Sequence, residues 1–175
     1  MLLSAAGPLA AQSGRSAGQA PVAFGSLWRV IVGDWVSVEP AESGSGAASF
    51  RFELDNHVIV RRNHAEVSTG PARTAVPHED LMVIYPAGDG DAARALYVDN
   101  EGHVIEYAAA WSPDGKVLTF VSDAIPGAPR FRLTYQFQSA SEASVAFEIA
   151  TPDSLSAFKP YVTGRMRRIG AAPAR

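Results

Sequence analysis

Arg130-Phe131-Arg132-Leu133-Thr134-Tyr135-Gln136-Phe137 alternates without a break. Apolar side chains hold the odd positions and polar ones the even. A period of two marks a β-strand with one face in a core and the other in water. Working outward, the run at 116–122 precedes it, and before that stands Ser112-Pro113-Asp114-Gly115. In that tetrad Pro presets φ for a turn and Gly is free to take positive φ, so the two flanking runs read as a hairpin. Asn100-Glu101-Gly102 and Asp55-Asn56 mark two further reversals.

Extended to the whole chain, the same reading predicts ten strands. They lie near 33–39, 47–54, 57–66, 78–86, 93–99, 103–112, 116–122, 129–138, 143–150 and 160–169. Val22 to Val32 carries apolar residues at a helical spacing and predicts a short helix ahead of the sheet, placed to plug one end. Thr151-Pro152-Asp153 predicts one more helical turn. Short connections favour antiparallel neighbours. The expected fold class is therefore all-β: a ten-stranded antiparallel up-and-down β-barrel with a short N-terminal helix. A barrel of this size has room for one small ligand.

Composition narrows the function classes. The 175 residues suit one domain, and 47% apolar content supplies its core. A formal net charge of -3 without a dense basic stretch excludes a nucleic-acid partner, whose phosphates require clustered Lys and Arg. Cysteine is absent, which excludes disulfides, thiolate catalysis and zinc-thiolate sites. No apolar run approaches the roughly 20 residues of a helical membrane span. No H-E-x-x-H pattern is present.

Residues 1–21 are small, apolar and Gly/Ser/Ala-rich. They read as a disordered tail or the remnant of a secretory signal, with the domain at 22–170 and a tail at 171–175. The leader points to a periplasmic or secreted protein as readily as its missing positive n-region points to a cytoplasmic one. A homodimer stays open.

Parity assigns the ends of the barrel. If the first strand starts at the bottom, the gaps near 67–77, 123–128 and 151–159 all fall at the top, and long loops at one end mark a mouth. Trp35 then shares the bottom with Arg167 and Arg168, where a guanidinium over the indole seals the first strand to the last. At the mouth gather His64, His78, Glu79, Asp80, Asp99 and His103. Below them stand Tyr97, Tyr107, Phe131, Arg132 and Tyr135.

Gly33-Asp34-Trp35 at the start and the late Arg of Gly164-Arg165-Met166-Arg167-Arg168 resemble the calycin superfamily: lipocalins, fatty-acid-binding proteins and nitrobindin-like barrels. The resemblance covers 24–169. Val60-Arg61-Arg62-Asn63, His78-Glu79-Asp80-Leu81-Met82-Val83-Ile84-Tyr85 and Asp99-Asn100-Glu101-Gly102-His103 look like uncharacterised bacterial barrels of this type. The resemblance implies an internal ligand, and, in the fatty-acid-binding manner, a carboxylate held by Arg62, Arg132 or Arg165. Nitrobindin-like members hold haem through a late His. No His follows His103 here, so no haem and no other cofactor is expected.

Three readings of the mouth stand side by side. Strand ends attract Asp, Asn and His, so these are ordinary rim residues around a filled barrel. Alternatively His64, His78, Glu79, Tyr97, Asp99, His103, Tyr107, Phe131, Arg132 and Tyr135 bind a small, largely apolar molecule with a polar end. In the third, the histidines with Glu79 or Asp99 hold a metal or act as acid and base, making an isomerase or hydrolase with His103 as base. The expected function is ligand binding, with no metal site assigned.

Overall fold

The computed structural model describes residues 23–38, 45–69, 74–88 and 91–170, so the expected leader at 1–21 and tail at 171–175 lie outside the described residues. Ten strands appear among the described residues: β1 (Gly33–Ser37), β2 (Ser45–Glu53), β3 (Val58–Thr69), β4 (Thr74–Pro86), β5 (Ala93–Asp99), β6 (Val104–Trp111), β7 (Val117–Ser122), β8 (Arg130–Phe137), β9 (Glu142–Ala150) and β10 (Lys159–Ile169). Each pairs antiparallel with its sequence neighbours, and β1 pairs with β10, closing an up-and-down barrel. Closure leaves no free sheet edge.

Three local expectations change. The N-terminal helix is a single 3-10 turn, Ser26–Val30, and it is the one helical element among the described residues. Gly33 already opens β1, which leaves no length for a second turn. A 3-10 turn eclipses residues three apart, and Trp28 and Ile31, at that spacing, are both completely buried. The region 151–158 forms two successive turns, Ser154 N–H to Thr151 O and Ala157 N–H to Ser154 O, instead of a helical turn. The long gap expected at 67–77 is also largely ladder: Val67 pairs with Val76 and Thr69 with Thr74. Cross-strand pairing carries both strands through a stretch whose own composition reads as loop.

The 3-10 turn plugs one end. Trp28 donates its indole N–H to Asp91 O at 3.2 Å, in the β4–β5 connection, and sits edge-on to Trp111 and Phe120. Trp111 points inward and stacks on Phe137 at 5.5 Å. The lumen above the plug is packed solid. Trp35, Phe50, Ile59, Met82, Ile84, Tyr107, Leu118, Phe120 and Tyr135 are all at most 1% exposed. Close packing of this kind is what stabilises the interior.

The closing seam is built at the same end. Arg168 lies 4.2 Å above the Trp35 ring. It donates to Val32 O, to Val30 O at 2.6 Å and to Ala140 O at 2.9 Å. Trp35 in turn donates to Ile31 O at 2.8 Å. Gly33 has φ of +137°, and a Cβ there would strike the Arg168 guanidinium, so this position takes only glycine. Arg167, one residue away, points outward to solvent.

Candidate functional site

The mouth is organised by pairs of residues two apart on neighbouring strands, which share a face. β3 turns Arg61 and Asn63 inward, β4 turns His78 and Asp80 inward, and β5 turns Tyr97 and Asp99 inward. The β5–β6 turn delivers His103, and Ile105 and Tyr107 follow on β6. The opposite wall, from β8 and β9, is apolar: Phe131 and Phe147 stack nearly parallel, 5.9 Å apart, with Tyr161 edge-on to Phe147. A bulge between Pro160 and Val162 places Tyr161 there. One side of the mouth is thus aromatic and the other bears hydrogen-bonding groups. Tyr97, Ile105, Phe131, Val145 and Phe147 are only partly buried, in contrast with the packed lumen beneath.

At the base of the polar wall Arg61 meets Asp80 at 2.5 Å, and both are buried. Asn63 adds an amide N–H to the second Asp80 oxygen at 2.9 Å, and His78 Nε2 lies 3.5 Å from it. Burial pushes the Asp80 carboxyl above its ordinary range, against the pull of Arg61 and Asn63. Burial likewise raises the phenols of Tyr97, Tyr107 and Tyr135, which keeps all three as hydroxyl donors. Arg61 Nε and the Tyr135 hydroxyl are buried with no hydrogen-bond partner, an arrangement costing about 1–3 kcal/mol per group.

A hydrogen-bonded chain runs along the rim. Glu101 contacts His78 Nδ1 at 2.9 Å; His78 Nε2 contacts the Tyr97 hydroxyl at 3.1 Å; Tyr97 donates to Asp99 at 3.1 Å; Asp99 contacts His103 Nδ1 at 2.8 Å. Asp99 also accepts the backbone N–H groups of Glu101 and His103 at 3.0 and 2.8 Å. Burial alone would raise its pKa, but the bonds from His103 and Tyr97 outweigh it and hold the carboxyl below the ordinary value. A depressed carboxyl contributes stability that is complete above its unfolded pKa, about 3.9, and drains as pH falls through the lower folded value. Asp99→Asn should therefore flatten the acid limb of stability below about pH 4. Urea midpoints against pH test this, and parallel profiles for the two proteins would count against it.

Several expected site residues lie elsewhere. His64 and Glu79 point outward, 3.3 Å from each other, beside a groove of about 580 Å³ on the outer surface of β2–β5. Arg132 also points outward, bound to Glu148 at 2.6 and 2.8 Å and lying 4.4 Å from the Phe158 ring. Arg62 is outward as well. Each has inward neighbours on both sides in its strand, so alternation forces it out. Tyr107 and Tyr135 point inward but are sealed within the packed lumen. His78, Tyr97, Asp99, His103 and Phe131 are brought together at the mouth. Asp80, expected at the mouth, is there as the partner of Arg61, and Arg61, Asn63 and Glu101 join without having been singled out as site residues; the i, i+2 spacing of Arg61 with Asn63 is the available signal.

Among the described residues no three His, Asp or Glu side chains converge to hold a metal ion, and no helix is long and apolar enough to cross a membrane. The sequence matches no known protein-family model and no curated protein.

Proposed function

We propose that the mouth of this calycin-like barrel binds a small, largely apolar molecule. The observation that carries this reading is the division of the mouth into two walls: stacked, partly exposed Phe131 and Phe147 face Asp99, Tyr97 and His78. Aromatic surface left half in water is stabilised when a ligand covers it, by about 25 cal/mol per Å². The polar wall fixes the orientation of whatever enters. The packed lumen limits the guest to the open end.

Native mass spectrometry of protein purified from its own host is expected to show a retained small molecule. Titration with 1-aminonaphthalene is expected to saturate, and Phe131→Ala combined with Phe147→Ala should weaken it at least about tenfold. A bare mass together with exclusion of the dye would identify the filled barrel without a ligand and end this reading.

A further inference from the structure

We propose that Asp99 and His103 form a general-base dyad acting on a substrate seated in the mouth, so that the protein is a proton-transfer enzyme and not only a binder. The proposal rests on the ligand-binding reading above. Its basis is geometric. The Asp99 side chain is 3% exposed and that of His103 59% exposed, so a buried carboxylate holds an accessible imidazole. An ionised carboxylate only accepts hydrogen bonds. The 2.8 Å contact to His103 Nδ1 therefore requires the proton on Nδ1. The neutral ring then carries its lone pair on Nε2.

Asp99 is itself immobilised. Oδ1 accepts two backbone N–H groups of the β5–β6 turn, and Oδ2 accepts the Tyr97 hydroxyl as well as the His103 ring. The turn is closed by Asp99 N–H to His103 O and by Gly102, with φ of +92°, to Asp99 O. A base held this firmly loses little orientation on reacting. His103 is the catalytic residue and Asp99 the positioning residue. Across the mouth stand Phe131 and Phe147, stacked 5.9 Å apart and only partly buried, as an apolar wall for a flat substrate.

The substrate class that fits is a planar, mostly apolar β,γ-unsaturated carbonyl compound, with its acidic C–H between the carbonyl and the C=C bond. His103 Nε2 takes the proton as the C–H bond breaks, and the electron pair moves to the carbonyl oxygen through the enolate. Returning the same proton to a conjugated carbon completes an isomerisation. Atoms and electrons balance without a further reactant.

The probe is 5-nitrobenzisoxazole, a flat apolar compound cleaved by removal of one proton. The base takes the ring C–H proton, the electron pair forms the nitrile, and the N–O bond breaks to release a coloured phenolate. We expect saturable turnover, with kcat/KM reduced roughly 100-fold in His103→Gln and about 10-fold in Asp99→Asn. Nitrogen NMR of the wild-type protein should show the His103 proton on Nδ1, moving to Nε2 in Asp99→Asn, which keeps the Oδ1 acceptor for the turn. Competition of the probe with 1-aminonaphthalene reports its binding separately. Probe bound but not turned over, turnover unchanged in His103→Gln, or a wild-type proton on Nε2 would each overturn the dyad while leaving ligand binding intact. If neither dye nor probe binds, the ligand-binding reading fails and the dyad with it.

Discussion

Arg61→Met should lower the free energy of unfolding by about 3–5 kcal/mol, the usual cost of stranding one member of a buried ion pair. Arg61 and Asp80 meet at 2.5 Å with side chains 9% and 2% exposed. Removing the guanidinium leaves Asp80 with only the Asn63 amide and the more distant His78. The carboxyl, already raised by burial, is then raised further. A group whose folded pKa is raised contributes stability that is complete below the unfolded pKa and is lost as pH rises through the folded one. The Arg61→Met deficit is therefore largest near neutral pH and shrinks toward about pH 4. Replacing both partners, Arg61→Met with Asp80→Leu, should recover most of the loss, because an apolar pair carries no desolvation penalty. Urea unfolding of the two single variants and the double variant gives the cycle directly. A single-variant cost under about 1 kcal/mol, or a double variant no better than the single, contradicts the account.

Arg168→Ala should cost about 3 kcal/mol, or roughly 6–12 °C in Tm for a chain of this size. The side chain serves three backbone carbonyls, those of Val30, Val32 and Ala140, and covers the Trp35 ring. Truncation leaves those carbonyls at the sealed end without their donor and uncovers the indole. Arg168→Lys should recover less than half of the loss, since an ammonium on a flexible stem cannot span three acceptors set around a planar fork. Thermal and urea unfolding decide the matter. A loss below about 1 kcal/mol in Arg168→Ala would show that strand pairing alone holds the seam.

Strand number, order and closure were legible because they depend on local signals. Alternation through 130–137 and the Ser112–Gly115 turn each declare themselves within a few residues. The return of the last strand to the first followed from an even number of antiparallel strands, and the structure has that closure. What local signals do not carry is facing. Arg61 and Arg62 are identical neighbours, yet one is buried against Asp80 and the other is in solvent. The choice is made by register, which sets Arg61 opposite Phe50 and Met82 on the inner wall. The same register sends His64 and Glu79 outside, although they lie at the right end of their strands. Depth was hidden for a related reason. Tyr107 and Tyr135 are inward residues in the middle of their strands, and only the whole set of side chains from ten strands shows that the lumen at their level is full. The missing helix has a simpler cause: periodicity over eleven residues looked helical, but burying Trp28 and Ile31 together took only one tight turn.

The seam between β1 and β10 also sets how this chain reaches its native state. Val32 and Arg168, joined across it, stand 136 residues apart in sequence. Contacts so remote form late, because the intervening chain must first be ordered. Until they form, the nascent sheet has two raw margins that can recruit a stranger's backbone. Once they form, none of the described strands is left for another to extend. Vulnerability to aggregation is thereby confined to the interval before the ring shuts, and the Arg168 clasp is the part of the protein that ends it.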